Sequence, residues 1–131
     1  MANAPAVLIY ELEPAINFTV ADGTAIEKGD LLTLASPATV TVSSADNNIF
    51  GGIAAEEHIA NHGITKIAVY RRGIFRVEVG TSGATAGKDA VTSAKNELTD
   101  YTTLDGEIGY KFGKFLETGA DGTFVLLELG S

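Results

Sequence analysis

A chain of 131 residues, 45% apolar and 20% charged, fits one domain with its own hydrophobic core. It has no cysteine, which excludes disulfide frameworks, thiolate metal sites and cysteine nucleophiles at once. A net charge of −8 with abundant Gly and Thr suits an acidic all-β protein rich in tight turns, and no apolar run is long enough for a spanning helix.

Residues 1–14 read as an extended N-terminal arm. Ala2 to Ala6 is small and breaker-rich, and Met1 to Pro5 lacks the positive charge that opens a signal peptide. Val7, Leu8, Ile9 and Tyr10 form a brief apolar run, followed by Glu11, Leu12, Glu13 and Pro14. Pro14 has no N–H for a ladder, so this run is confined to an edge strand, a strand end or an arm. Residues 15–131 then read as a single β-barrel-like domain. Ile16, Phe18 and Val20 alternate with Asn17 and Thr19, the period-2 signature of a half-buried strand. Asp22-Gly23 and Lys28-Gly29-Asp30 mark turns. Leu31 to Ala35 and Thr39 to Ser43 flank Ser36-Pro37-Ala38 as a hairpin, and Asp46-Asn47-Asn48 turns the chain into a strand around Ile49 to Ala54. Ala55 to His62 is the one stretch with helical character, about two turns ended by Gly63.

Thr65 to Val79 is the most β-like segment. Gly73, after Arg71 and Arg72, either turns a hairpin or kinks one long strand as a bulge. The segment also holds most of the positive charge: residues 58–88 carry Lys66, Arg71, Arg72, Arg76 and Lys88 against Glu78, while both flanks are acidic. One basic strand-turn in an acidic molecule is a poor counterion-releasing surface, so no nucleic acid is expected as a partner. Gly80 to Lys88 is a small-residue connection and Ala90 to Leu98 is weakly patterned. Ile108 to Leu116 and Thr123 to Leu129 are joined across the turn-rich residues 118–122. Short strands at this spacing favour a sandwich or barrel.

Two stretches echo each other about 60 residues apart in a way that suggests one repeated unit. Ala25-Ile26-Glu27-Lys28-Gly29-Asp30-Leu31-Leu32 parallels Ala84-Thr85-Ala86-Gly87-Lys88-Asp89-Ala90-Val91, and Phe50-Gly51 to Glu56 parallels Phe112-Gly113 to Glu117. Chance similarity between β-turns explains these echoes as well. A true duplication would give two similar β-halves closing one barrel.

Chemistry-bearing constellations are scarce. His58 and His62 stand at i and i+4 of the expected helix, but Ile59 takes the place of a zincin's Glu and no third ligand has recognisable spacing. Two surface histidines near a helix end explain the same residues. There is no Gly-x-Ser-x-Gly elbow, no dinucleotide fingerprint and no P-loop. Glu56/Glu57 and Asp105/Glu107 lack an apolar pocket that would separate their pKa values. Lys28 sits at a turn without the methionine-flanked setting of a biotinyl or lipoyl carrier. No enzymatic activity and no cofactor are expected.

Phe18 to Leu32, Ala68 to Phe75 and Gly113 to Thr123, in that order and spacing, resemble the head decoration (capsid cement) proteins of tailed bacteriophages. The resemblance covers about residues 16–129. It implies a small all-β, β-barrel or β-tulip-like protein with one short helix and an N-terminal arm, made in the host cytoplasm. Such a protein sits, usually as a homotrimer, on the exterior of the expanded head. There it binds the major capsid protein and reinforces the shell against internal DNA pressure. Under that reading Val7, Leu8, Ile9, Tyr10 and Leu12 are the capsid-binding residues of the arm. The alternative is that they form an edge strand of the protein's own barrel. Arg71, Arg72 and Arg76 are candidates for charge-assisted contacts with the capsid or a neighbouring protomer, against a plain solvated surface. A function of another class, a module for a host glycan or receptor, would use Tyr101 and Tyr110 as a stacking platform.

Overall fold

The structure is a computed structural model that describes residues 4–35, 38–44, 49–100 and 111–130. Among these residues it is all-β, with strands β1 (Val7–Glu11), β2 (Ile16–Thr19), β3 (Leu31–Ala35), β4 (Thr39–Val42), β5 (Phe50–Ala54) and β6 (Lys66–Tyr70) in the first half. The second half holds β7 (Gly73–Val79), β8 (Asp89–Ala94), β9 (Glu97–Asp100), β10 (Gly113–Phe115) and β11 (Phe124–Leu129). The expected turn at Asp46 to Asn48 and the start of the expected strand at Ile108 lie outside the described residues.

The echo in the sequence corresponds to a repeat in three dimensions, but each half closes its own barrel. In the first, the strands run β2-β4-β3-β5-β6 around a closed ring. In the second, β7-β9-β8-β10-β11 repeat that ring in the same order. The opening strand of each half lies antiparallel to the last (β2 on β6, β7 on β11) and parallel to the third (β4 or β9). Details repeat too. Ile26 and His58 exchange backbone hydrogen bonds, as do Ala84 and Gly119. Glu56 Oε2 accepts the Ala68 N–H at 2.9 Å, and Glu117 Oε1 accepts the Leu126 N–H at 2.9 Å. A single shared barrel is therefore corrected to two in tandem. With alternate residues of three- to seven-residue strands pointing inward, five strands suffice to enclose a small core.

Two hydrophobic clusters follow from this arrangement. One fills the first barrel with Val20, Ile26, Leu32, Val40, Ala54, Ile67 and Val69. The larger one centres on Phe75, Phe112, Phe115 and Leu127 of the second barrel, and takes in Leu31 and Ile53 from the first. The barrels thus share a core. Across their seam Phe50 meets Phe112 edge-on with ring centroids 5.0 Å apart. These two are the repeat's own equivalent residues, each preceding the Gly of its Phe-Gly motif. The seam is also pinned by polar groups: buried Asn96 accepts the Leu31 N–H at 2.8 Å and donates to Asp30 Oδ1 at 2.9 Å.

Two local expectations are corrected. Residues 55–62 form no helix. His58 pairs its backbone with Ile26 instead of with its own chain, and Asn61 and Gly63 take left-handed φ values of 66° and 79°, which a helix does not admit. Gly73 is neither a hairpin turn nor a bulge in one strand. Arg71 and Arg72 are the crossover that carries the chain from β6 in the first barrel to β7 in the second. Gly73 begins β7 at φ 154°, where a Cβ would crowd the Phe75 ring at 2.9 Å.

Candidate functional site

The arm residues and part of the basic segment are brought to one edge. β1 adds antiparallel to β7, with Val7 opposite Arg76, Leu8 opposite Phe75, Tyr10 opposite Ile74 and Glu11 opposite Gly73. Ile9 is skipped in this register, a local bulge. Residues 7–11 thus occupy the edge-strand position of the protein's own second sheet, the alternative that the sequence left open. Sequence reasoning missed the anchors below them. Ala6 is buried and donates its N–H to the Gly29 carbonyl at 2.8 Å. The Ala4 N–H is held by buried Glu78 at 2.8 Å, and Leu8 packs on the larger core.

β1 is the last strand of that sheet, so its outer backbone edge carries no further strand among the described residues. The side chains around this edge are apolar and exposed: Val7 at 57%, Ile9 at 40%, Tyr10 at 66% and Leu12 at 52%. An unpaired edge of this kind can take an added strand through main-chain hydrogen bonds, with side-chain pockets supplying specificity. The bulge at Ile9, Glu11, Glu13 and Pro14 shorten the flat stretch, which limits indiscriminate pairing.

The three arginines separate. Arg72 and Arg76 are exposed, Arg76 beside Val7 at the β1 edge. Arg71 is half-buried at the seam, its guanidinium 4.5 Å from the Phe50 ring centre and 5.6 Å from that of Phe18. Burial lowers its pKa from the ordinary guanidinium value, with Glu13 opposing. Stacked on two rings, Arg71 acts as a strut between crossover and core. The signal for it was present in the sequence as Phe18 and Phe50, but nothing there brings them together.

His58 and His62 differ in burial. His58 is buried, against the surface position expected for it, with Nδ1 2.6 Å from the Thr24 carbonyl oxygen and Nε2 2.7 Å from that of Ile64; His62 is exposed. Among the described residues no three His, Asp or Glu side chains gather closely enough to hold a metal ion. Tyr101 and Tyr110, the suggested stacking platform, and the Asp105/Glu107 pair lie outside the described residues.

A shallow apolar cleft of about 550 Å³ runs under the start of β1, lined by Pro5, Ala6, Leu8, Ala54, Tyr70 and Phe75, with Lys28 at its side. It belongs to the docking of the arm on the body.

No protein-family model and no curated protein matches the chain. Among solved structures, the N-terminal base of the head fiber gp8.5 of bacteriophage phi29 is similar. The two superpose with a TM-score of 0.57 at 18% sequence identity, over 88% of this chain and 93% of that one. At this identity the likeness is one of fold, and the neighbour is a head fiber base, not a decoration protein by name. The tandem β-barrel chain therefore has a fold similar to that of a phage head protein.

Proposed function

We propose that this chain is a non-enzymatic structural protein of a bacteriophage head. More specifically, it decorates the exterior of the expanded shell as a homotrimer and stabilises that shell by binding the major capsid protein. The supporting observation is a fold similar to that of a phage head fiber base across nearly all of both chains, joined to an open, apolar β1 edge. The expected mechanism is linkage: a partner that binds only the assembled, expanded shell stabilises that state by mass action. Three copies engaging together would multiply the effect through effective concentration. Val7, Ile9, Tyr10 and Leu12 supply the apolar contact in this reading, and Arg72 and Arg76 the charge-assisted ones. Leu8 and Arg71 are assigned to the protein's own packing. Neither nucleic acid nor membrane is a partner in this reading, and no cofactor takes part.

The test is co-sedimentation of purified protein with expanded capsids of the phage that encodes it. The wild-type chain binds saturably, and I9D and Y10D, which change exposed side chains, weaken binding at least about tenfold while leaving the circular dichroism spectrum unchanged. Absence of any capsid binding sinks the decoration reading. Undiminished binding by both variants sinks the role of the β1 edge. Light scattering on the free protein decides the trimer.

A further inference from the structure

The imidazole of His58 is enclosed between two backbone carbonyls, Thr24 at 2.6 Å from Nδ1 and Ile64 at 2.7 Å from Nε2. A carbonyl oxygen only accepts, so each ring nitrogen must donate. A neutral imidazole has one N–H and would turn a lone pair on one of the two oxygens. His58 as a whole is 3% exposed, leaving little access for a water to mend that mismatch. Only the imidazolium satisfies the site.

The carboxylates of Asp22 and Glu56 favour it. Also near the ring are Glu27 and Asp30 on the turn side, Glu57 and His62 on the residues following β5, Lys66 at the start of β6 and Lys95 in the β8–β9 turn. Asp22 also ties the loop directly, accepting the Asn61 N–H through its carbonyl at 2.7 Å and the Gly63 N–H through Oδ1 at 2.8 Å. The second barrel has Gly119 in the equivalent place, with no side chain to do this.

We propose that His58 is a proton-operated latch: as an imidazolium it clasps residues 59–64 against the Asp22–Ile26 turn, and as a neutral ring it frees them. The loop presents Ile59 and Ile64, both exposed, so the latch fixes or loosens an apolar surface of the first barrel. The bond to the Ile64 carbonyl raises the His58 pKa, burial opposes it, and the Thr24 carbonyl, Asp22 and Glu56 raise it further. The contribution is complete below the ordinary imidazole value of about 6.5 and is lost as pH rises through the folded-state value.

Nitrogen-15 spectra of the histidine rings in the full chain test this. At about pH 6.5, where an ordinary imidazole is half titrated, both His58 nitrogens are expected to be protonated. Exchange protection of the Asn61 and Gly63 amides, corrected for intrinsic rates, should fall severalfold as His58 deprotonates. H62Q should keep that fall and H58Q should lack protection throughout. Should H58Q fail to fold, the wild-type and H62Q measurements decide alone. A His58 ring with one unprotonated nitrogen at that pH, His58 titration at or below the ordinary imidazole value, or protection indifferent to His58 ionisation overturns the proposal.

Discussion

Arg71 and Glu97 show how far a charged residue's role depends on its surroundings. Arg71 lies over two aromatic rings, so R71A should cost about 1–3 kcal/mol in urea unfolding. R72A and R76A, at exposed positions, should stay within about 0.5 kcal/mol. Glu97 is buried opposite Glu78 in the parallel β7–β9 pairing. Burial raises its pKa first, and the negative charges of Glu78 and Asp121 raise it further. A carboxyl whose folded pKa is raised holds its proton more firmly in the folded state. Its contribution to stability is therefore present below the ordinary carboxylate range and is lost as pH rises through the folded value. E97Q should unfold at a higher urea midpoint than wild type at neutral pH, with a smaller decline between about pH 4.5 and pH 7. An unchanged decline would show that Glu97 is not its source.

At the scale of elements, β1 is a strand with two unlike faces. Leu8 packs on the larger core while Val7, Ile9 and Tyr10 are exposed. L8A should lower stability by about 1–3 kcal/mol, given its partial burial, and I9A by less than about 0.5 kcal/mol. Unfolding midpoints of the two variants check this, and equal losses would mean that the register of β1 on β7 is wrong. The apolar run and Pro14 made an edge or arm legible in the sequence. Which of the two it is depends on β7, more than sixty residues away, and no local pattern carries that information. The expected helix failed for the same reason. Two well-placed hydrogen bonds to Ile26 and a buried imidazole outweigh the weak helical preference of a short segment.

The whole molecule is two copies of one barrel that do not complete their cores apart. Leu31 and Ile53 belong to the larger cluster, β1 lies on the second sheet, and Asn96 bridges from the second barrel to Asp30 and Leu31 in the first. Urea unfolding should therefore be a single transition by both circular dichroism and tyrosine fluorescence. N96A should shift that transition by about 2–4 kcal/mol without splitting it, because it leaves the buried Leu31 N–H and Asp30 carboxylate without these bonds. Two resolved transitions in the wild type would mean that the barrels fold independently.

The sequence by itself determined the all-β class, the positions of most strands and turns, and the repeated Gly-Asp turn and Phe-Gly motif. These are written in period-2 alternation and in residues with local backbone preferences, which act over a few positions. Only the tertiary structure decided that the repeat closes two barrels, that the arm seats on β7, that Arg71 is stacked at the seam and that His58 is enclosed. Each of these depends on contacts between segments distant in the chain, where shared burial and the satisfaction of buried polar groups outweigh local preference.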